Sequence, residues 1–201
     1  MMAGKLFVIS GPSGAGKGSI IEKLLEKDPT LYFSISATTR PKRAYEKDGR
    51  EYFFVSREEF LDRIEKGQML EWAEFAGNYY GTPAGPVDEK LRAGCDVVLD
   101  VESHGMYSVK AMRPDAVTMF VYPPSFAELE KRLRNRKTET EERIRSRLEQ
   151  SRQECTHAED YDYIIINDDL DIAAAEAAAV MTAEKCRTAE RLHILKEDKT
   201  L

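Results

Sequence analysis

The segment Gly11-Pro12-Ser13-Gly14-Ala15-Gly16-Lys17-Gly18-Ser19 concentrates residues that handle phosphate. Gly11 is followed, after four residues, by Gly16-Lys17, the spacing of a phosphate-binding loop. Glycines let successive backbone N–H groups turn inward, and the N-terminus of a following helix adds partial positive charge. A lysine at this position reaches β- and γ-phosphate oxygens, so the ligand such a loop takes is a nucleoside triphosphate. The Ser or Thr that ordinarily follows the lysine as an Mg²⁺ ligand is Gly18 here, and the hydroxyl comes one residue later at Ser19. That shift argues against direct ligation of Mg²⁺ by the loop.

Three further segments offer groups for a second substrate. Ser36-Ala37-Thr38-Thr39-Arg40-Pro41-Lys42-Arg43 brings hydroxyls and two guanidiniums together, with Tyr52 close behind. Arginine forks suit bidentate phosphate recognition; a solvated basic loop is the plainer alternative. Glu71-Trp72-Ala73-Glu74-Phe75 and Asn78-Tyr79-Tyr80-Gly81-Thr82 set a carboxylate among aromatics. A carboxylate accepts from guanine's ring N–H and amino group together, whereas adenine lacks that ring donor; an exposed Glu on an edge strand is the alternative. Arg132, Arg136 and Arg147 lie on two helices joined at Lys137-Thr138, where they can close over a transferring phosphate or pair with nearby Glu residues.

Short apolar runs alternating with amphipathic ones must position these groups. Leu6–Ser10 reads as a buried strand and residues 17–27 as a helix with Ile20, Ile21, Leu24 and Leu25 on one face. Strand character follows over 32–39 and at Phe53-Phe54-Val55. Ser56 with Glu59 three residues on caps a helix ending near Gly67. Residues 69–75 read as a strand, 78–82 as a loop, 84–93 as a helix and 96–101 as a strand closed by Asp100. Further on, the pattern predicts a helix over 103–112, a strand over 116–122, a helix from Phe126 capped by Ser125, and a helix begun by Thr138 with Glu141. A strand over 163–166 and one Ala-rich helix over 172–189 complete the chain. Buried short strands separated by helices imply an α/β fold with a mostly parallel sheet covered on both faces.

The whole sequence has 201 residues, 30 Lys and Arg against 36 Asp and Glu, and a net charge of −6. A hydrophobic share of 42% and a charged share of 33% suit an ordinary globular domain, and the acidic total argues against nucleic-acid and membrane-surface binding. The apolar runs are far shorter than a membrane span requires, and no signal peptide is expected. Cys95, Cys155 and Cys186 are too scattered for a disulfide framework or zinc site, which fits a cytoplasmic protein. The basic charge is uneven: residues 36–57 hold six Lys or Arg against three acids, and 127–152 hold nine against six. Positive charge is thus concentrated in the two stretches that also carry the candidate phosphate-binding arginines.

The ordered set GPSGAGKGS, SATTRPKR, EYFFVS, EWAEFAGNYYGT, LDVE, RLRNRKTETEERIRSRL and IIINDDLD resembles the guanylate kinase family along essentially the whole chain. The resemblance implies transfer of phosphate from ATP to GMP, or dGMP, with Mg²⁺ bound mainly through ATP phosphates and water. It implies a three-layer P-loop core (1–35 and 96–201), an inserted GMP-binding lobe at about 36–95 and a short helical lid at about 127–157. By that resemblance the loop from Gly11 to Ser19 binds ATP together with Arg132 and Asn167, the latter near adenine. Ser36, Glu71 and Thr82 would contact guanine with Asp100 close by, and Arg40, Arg43, Tyr52 and Tyr80 would hold the GMP phosphate. Lys17, Arg40, Arg136 and Arg147 would be the catalytic cations. The chain departs from the family pattern at His104, where Gln is usual, and at Lys137, where Gly is usual. Two other readings stand beside this one: a kinase of another small phosphorylated acceptor, and a noncatalytic binding module of the same fold.

Overall fold

The computed structural model describes residues 3–135 and 140–197. In chain order the first half forms β1 (Leu6–Ser10), α1 (Lys17–Lys27), β2 (Tyr32–Phe33), β3 (Ala37–Thr38), β4 (Phe53–Phe54) and α2 (Arg57–Glu65). Then come β5 (Met69–Phe75), β6 (Asn78–Pro83), α3 (Ala84–Arg92), β7 (Val97–Asp100), α4 (Ser103–Met112) and β8 (Val117–Tyr122). The remainder is α5 (Phe126–Asn135), α6 (Glu141–Cys155), a 3₁₀ turn (Ala158–Asp160), β9 (Tyr163–Ile166), α7 (Leu170–Lys185) and α8 (Thr188–Glu197). Among the described residues no helix is long and apolar enough to cross a membrane. The chain divides into two compact units, Met1–Ser10 with Pro29–Thr118, and Gly11–Asp28 with Met119–Leu201.

The first unit contains two sheets. β7 pairs in parallel with β1 on one side and β2 on the other. All five residues of β1 are buried, as a strand covered on both faces demands. The second sheet has the order β4-β3-β6-β5 and pairs β6 antiparallel to both neighbours. On one face Ala37, Phe60, Met69 and Tyr79 form a small core, with the Phe60 and Tyr79 rings stacked at 5.5 Å. Ser56 caps α2 by accepting from the Glu59 N–H at 3.0 Å, while the Glu59 carboxylate turns forward to Arg63.

A β-bulge shapes the other face of this sheet. Met69 pairs with Pro83 and Glu71 with Thr82, so two steps on β5 match one step on β6. Residues two apart on a regular strand share a face. The extra residue, buried Leu70, puts Met69 among the core side chains and Glu71 on the opposite face beside Thr82.

The second unit pairs β8 in parallel with β9. α1 buries Ile20, Ile21 and Leu24 and packs against α7, whose Ala173, Ala174 and Ala177 are buried. Small side chains there permit close approach of the two helices, which explains the alanine-rich composition. Leu129 and Leu133 of α5 close a separate core with Ile144 and Leu148 of α6.

Four expectations require correction. The strand expected over 32–39 is two strands in two sheets: Ser34 N–H still donates to Val98 O beside β7, whereas Ala37 and Thr38 pair with β4 and β6. The loop expected over 78–82 is β6, joined to β5 by a two-residue turn in which Ala76 and Gly77 both have positive φ, 49° and 76°. That is the twist-matched hairpin geometry, reached here through Ala-Gly rather than the more telling Asn-Gly. The single C-terminal helix is two, since α7 begins at Leu170 under an Asp169 cap and ends before Cys186. Finally, α6 is capped by Thr140, whose hydroxyl accepts from Arg143 N–H, and Thr138 lies outside the described residues.

Candidate active site

β1 runs directly into the glycine loop, which closes at Gly16 and opens α1 at Lys17. Gly16 is the N-cap, at φ 96° and ψ 21°, and it brings no side-chain acceptor to the first turn of α1. The first-turn N–H groups and the positive end of the helix are therefore presented to an anion. Two glycines are sterically required. A Cβ on Gly11 would stand 2.1 Å from Val121 O, and one on Gly16 would stand 2.1 Å from Asn167 Nδ2. Between them Ala15 is fully buried and its N–H donates to Pro12 O at 3.1 Å, while Ser13 and Gly14 are half-buried. Lys17 Nζ spans the loop to donate to Gly11 O at 2.6 Å; Gly18 and Ser19 are exposed.

Other members of the proposed ATP site belong to the same unit. Asn167 is buried and donates from Nδ2 to Ala15 O at 2.7 Å. Arg132 reaches the Asn167 carbonyl at 2.9 Å and its own Glu128 at 3.2 Å. Arg147 is half-buried on α6, beside Leu148. Arg136 and Lys137 lie outside the described residues.

In the first unit the sheet register aligns the guanine-contact candidates. Glu71 pairs with Thr82, and Ala37 pairs with Gly81, so one further step along β3 sets Ser36 across from Thr82. The Thr82 hydroxyl donates to Glu71 Oε1 at 2.5 Å. Glu71 Oε2 lies 3.2 Å from where a Cβ on Gly105 would stand, in the first turn of α4, so the carboxylate rests against the positive end of that helix. Burial nevertheless holds the Glu71 carboxyl above its ordinary range, against the hydrogen bond from Thr82, and the Glu102 charge adds to the rise. Asp100 closes β7 at an exposed position paired with Ile9, at the carboxyl end of the parallel strands. Open α/β sheets bind ligands outside that end.

Arg40 is locked in place. Its guanidinium forms a fork with Glu46, at 2.7 and 3.1 Å, and lies 5.5 Å from the Tyr52 ring centre. Tyr52 and Tyr80 meet edge to face at 6.1 Å. The hydrogen bond with Glu46 pushes the Arg40 pKa up, and the same bond pulls the Glu46 carboxyl down. Arg43 differs: its side chain is exposed and donates to Tyr45 Oη at 2.9 Å, while its backbone N–H joins Glu46 at 2.7 Å. The structure thus gathers Arg40, Tyr52 and Tyr80, and leaves the Arg43 guanidinium at the rim.

Glu46, which organises both arginine positions, was not among the residues expected from sequence. An acid inside a basic loop was the available signal.

A glycine loop between a buried parallel strand and a helix, crossed by its own lysine, places the chain among P-loop nucleotide-binding proteins. The guanylate kinase family model matches residues 3–184. A guanylate kinase of Desulfitobacterium hafniense is 46% identical over 191 residues, covering 95% of this chain and 96% of that protein. One from Carboxydothermus hydrogenoformans is 47% identical over 93% of this chain and 92% of its own length. The crystal structure of guanylate kinase from Anaplasma phagocytophilum superposes with a TM-score of 0.76 at 32% identity, over 99% of this chain and 96% of that one. The chain belongs to the guanylate kinase family, and it is a phosphotransferase of the α/β P-loop fold.

Proposed function

We propose that the protein catalyses ATP + GMP ⇌ ADP + GDP, with the glycine loop binding ATP and the β4-β3-β6-β5 sheet binding GMP. The observation that carries this reading is the Glu71 carboxylate, fixed by the Thr82 hydroxyl and seated against the first turn of α4. It offers acceptors to guanine's N1–H and amino group, a pair adenine does not present. Arg40, with Tyr52 and Tyr80, binds the GMP phosphate, and dGMP shares every group these residues meet.

In the reaction an oxygen of the GMP phosphate forms a bond to the γ-phosphorus as the bond from that phosphorus to the β-phosphate oxygen breaks, and ADP leaves. Such a transfer needs positioning and charge neutralisation more than covalent help. Lys17, Arg147 and Arg136 supply the neutralising charge. Among the described residues no group of three or more His, Cys, Asp or Glu could hold a metal ion, and Ser19 is the loop's nearest hydroxyl after the lysine. That donor set fits Mg²⁺ carried on the ATP phosphates and water, where it offsets their charge. The separate cores around Phe60 and around Leu129 support a GMP lobe at about 36–95 and a lid at about 127–157. A cytoplasmic location suits the three free cysteines.

A coupled ADP-release assay with GMP, dGMP, AMP, UMP and CMP tests the reading. GMP should be the best acceptor; comparable turnover of AMP would overturn guanine selectivity, and no turnover with any acceptor would favour a binding module.

A further inference from the structure

We propose that Asn167 is a positioning residue of the phosphate loop, acting on the triphosphate through the Ala15–Gly16 peptide and not through the base. The inference rests on the reading that this loop binds ATP. Asn167 is tied to three segments at once. Its backbone N–H donates to Tyr122 O at 2.7 Å, its carbonyl accepts from Arg132 of α5 at 2.9 Å, and its amide Nδ2 donates to Ala15 O at 2.7 Å. With a relative exposure of 5%, its side chain has little surface left for a nucleotide base.

The bond to Ala15 fixes more than one atom. In a planar trans peptide the carbonyl and the following N–H point in opposite directions. Holding Ala15 C=O against Asn167 therefore aims the Gly16 N–H away from Asn167, and this N–H belongs to the set that a phosphate loop turns toward its ligand. The fit is close: a Cβ on residue 16 would stand 2.1 Å from Nδ2, so only glycine lets the loop approach the amide. Ala15 itself is fully buried, and its own N–H, part of the preceding peptide, is engaged with Pro12 O. Through Arg132 the same residue links the first helix of the proposed lid to the loop beneath the phosphates.

The test compares ATP with inorganic tripolyphosphate, which has no base, by calorimetric titration of the parent, Asn167→Ala and the near-isosteric Asn167→Asp. Both variants should lose on the order of tenfold in affinity for ATP and for tripolyphosphate alike, the scale of one buried hydrogen bond, with GMP affinity unchanged. The Gly16 amide resonance should respond to tripolyphosphate in the parent and respond less in the variants. Loss of ATP affinity with tripolyphosphate unchanged would make Asn167 a base contact and overturn the proposal. Unchanged affinity for both ligands would do so as well, and parallel loss of GMP affinity in both variants would assign Asn167 to the fold. Lys17→Ala is the independent control: tripolyphosphate binding that survives it would sink the phosphate-loop reading itself, whatever Asn167 does.

Discussion

Replacing Glu71 by Gln keeps the length and volume of the side chain and removes its charge and one acceptor. In the structure one carboxylate oxygen takes the Thr82 hydroxyl at 2.5 Å, and the other is confined by α4, with a Cβ on Gly105 reaching within 3.2 Å of it. Whichever way the Gln amide turns, its NH₂ replaces one of these two oxygens. Loss of a charge-assisted hydrogen bond is worth about 1.5–3 kcal/mol, and a guanine donor left facing an N–H adds roughly 1–3 kcal/mol. The middles of those ranges sum to about 4 kcal/mol, which corresponds to a fall of about 10³-fold in kcat/KM for GMP. Glu71 is not among the residues assigned to ATP, so KM for ATP should stay within about twofold. Initial rates of coupled ADP release, with each substrate varied at saturating levels of the other, measure both quantities. A kcat/KM for GMP within threefold of the parent would refute the assignment of Glu71 to guanine.

Four further outcomes follow from the geometry. Because burial raises the Glu71 carboxyl, the acid limb of kcat/KM for GMP should lie above the ordinary Glu value of about 4.3 and vanish in Glu71→Gln. The linked stability has the opposite sign: the contribution of Glu71 is fully present below its unfolded pKa and is lost as pH rises through the higher folded value. Ligand-free Glu71→Gln should therefore unfold at higher urea than the parent at pH 7, and an unchanged or lower midpoint would contradict the burial argument. Glu46→Ala frees the Arg40 fork and should raise KM for GMP on the order of tenfold, with KM for ATP unaffected in the same steady-state assay. Leu133→Ala empties space between α5 and α6, directly under the loop, where a Cβ on Gly14 would lie 3.2 Å from Leu133 Cδ2. Urea unfolding should show a loss of roughly 2–5 kcal/mol, accompanied by weaker ATP binding.

Local signals were legible where a residue's neighbours in sequence are also its neighbours in space. β1, the glycine loop and α1 are of this kind, and the predicted bounds match the observed ones at both ends. So are the caps of α2 and α5, in which Ser56 and Ser125 accept from the N–H three residues on. The sequence pattern failed where distant pairing overrides it. Residues 32–39 look like one strand, yet their first residues pair with β7 and Ala37 and Thr38 with β6, across 42 to 65 positions. The Ala76-Gly77 turn carries weak hairpin chemistry, so the sequence pattern predicts a loop where β6 forms. Most site residues were legible by type through their family resemblance, but not their partners. The role of Asn167 depends on a contact 152 residues away, and Glu46 resembled any other acid in a solvated loop.

The bulge at Leu70 makes β5 a strand with parity: each residue from Glu71 to Phe75 owes its side of the sheet to one supernumerary position upstream. Removing that position would turn the mismatch into regular pairing, with Met69 and Glu71 successive and still on opposite faces, so the Glu71 carboxylate would stay clear of the apolar layer of Phe60 and Tyr79. What would cost the carboxylate its side is keeping the length and flattening the bulge, since Glu71 would then share the face of Met69. The bulge is therefore the point at which β5 can lose one residue and still present Glu71 beside Thr82, and relatives that read guanine here can differ by that single position.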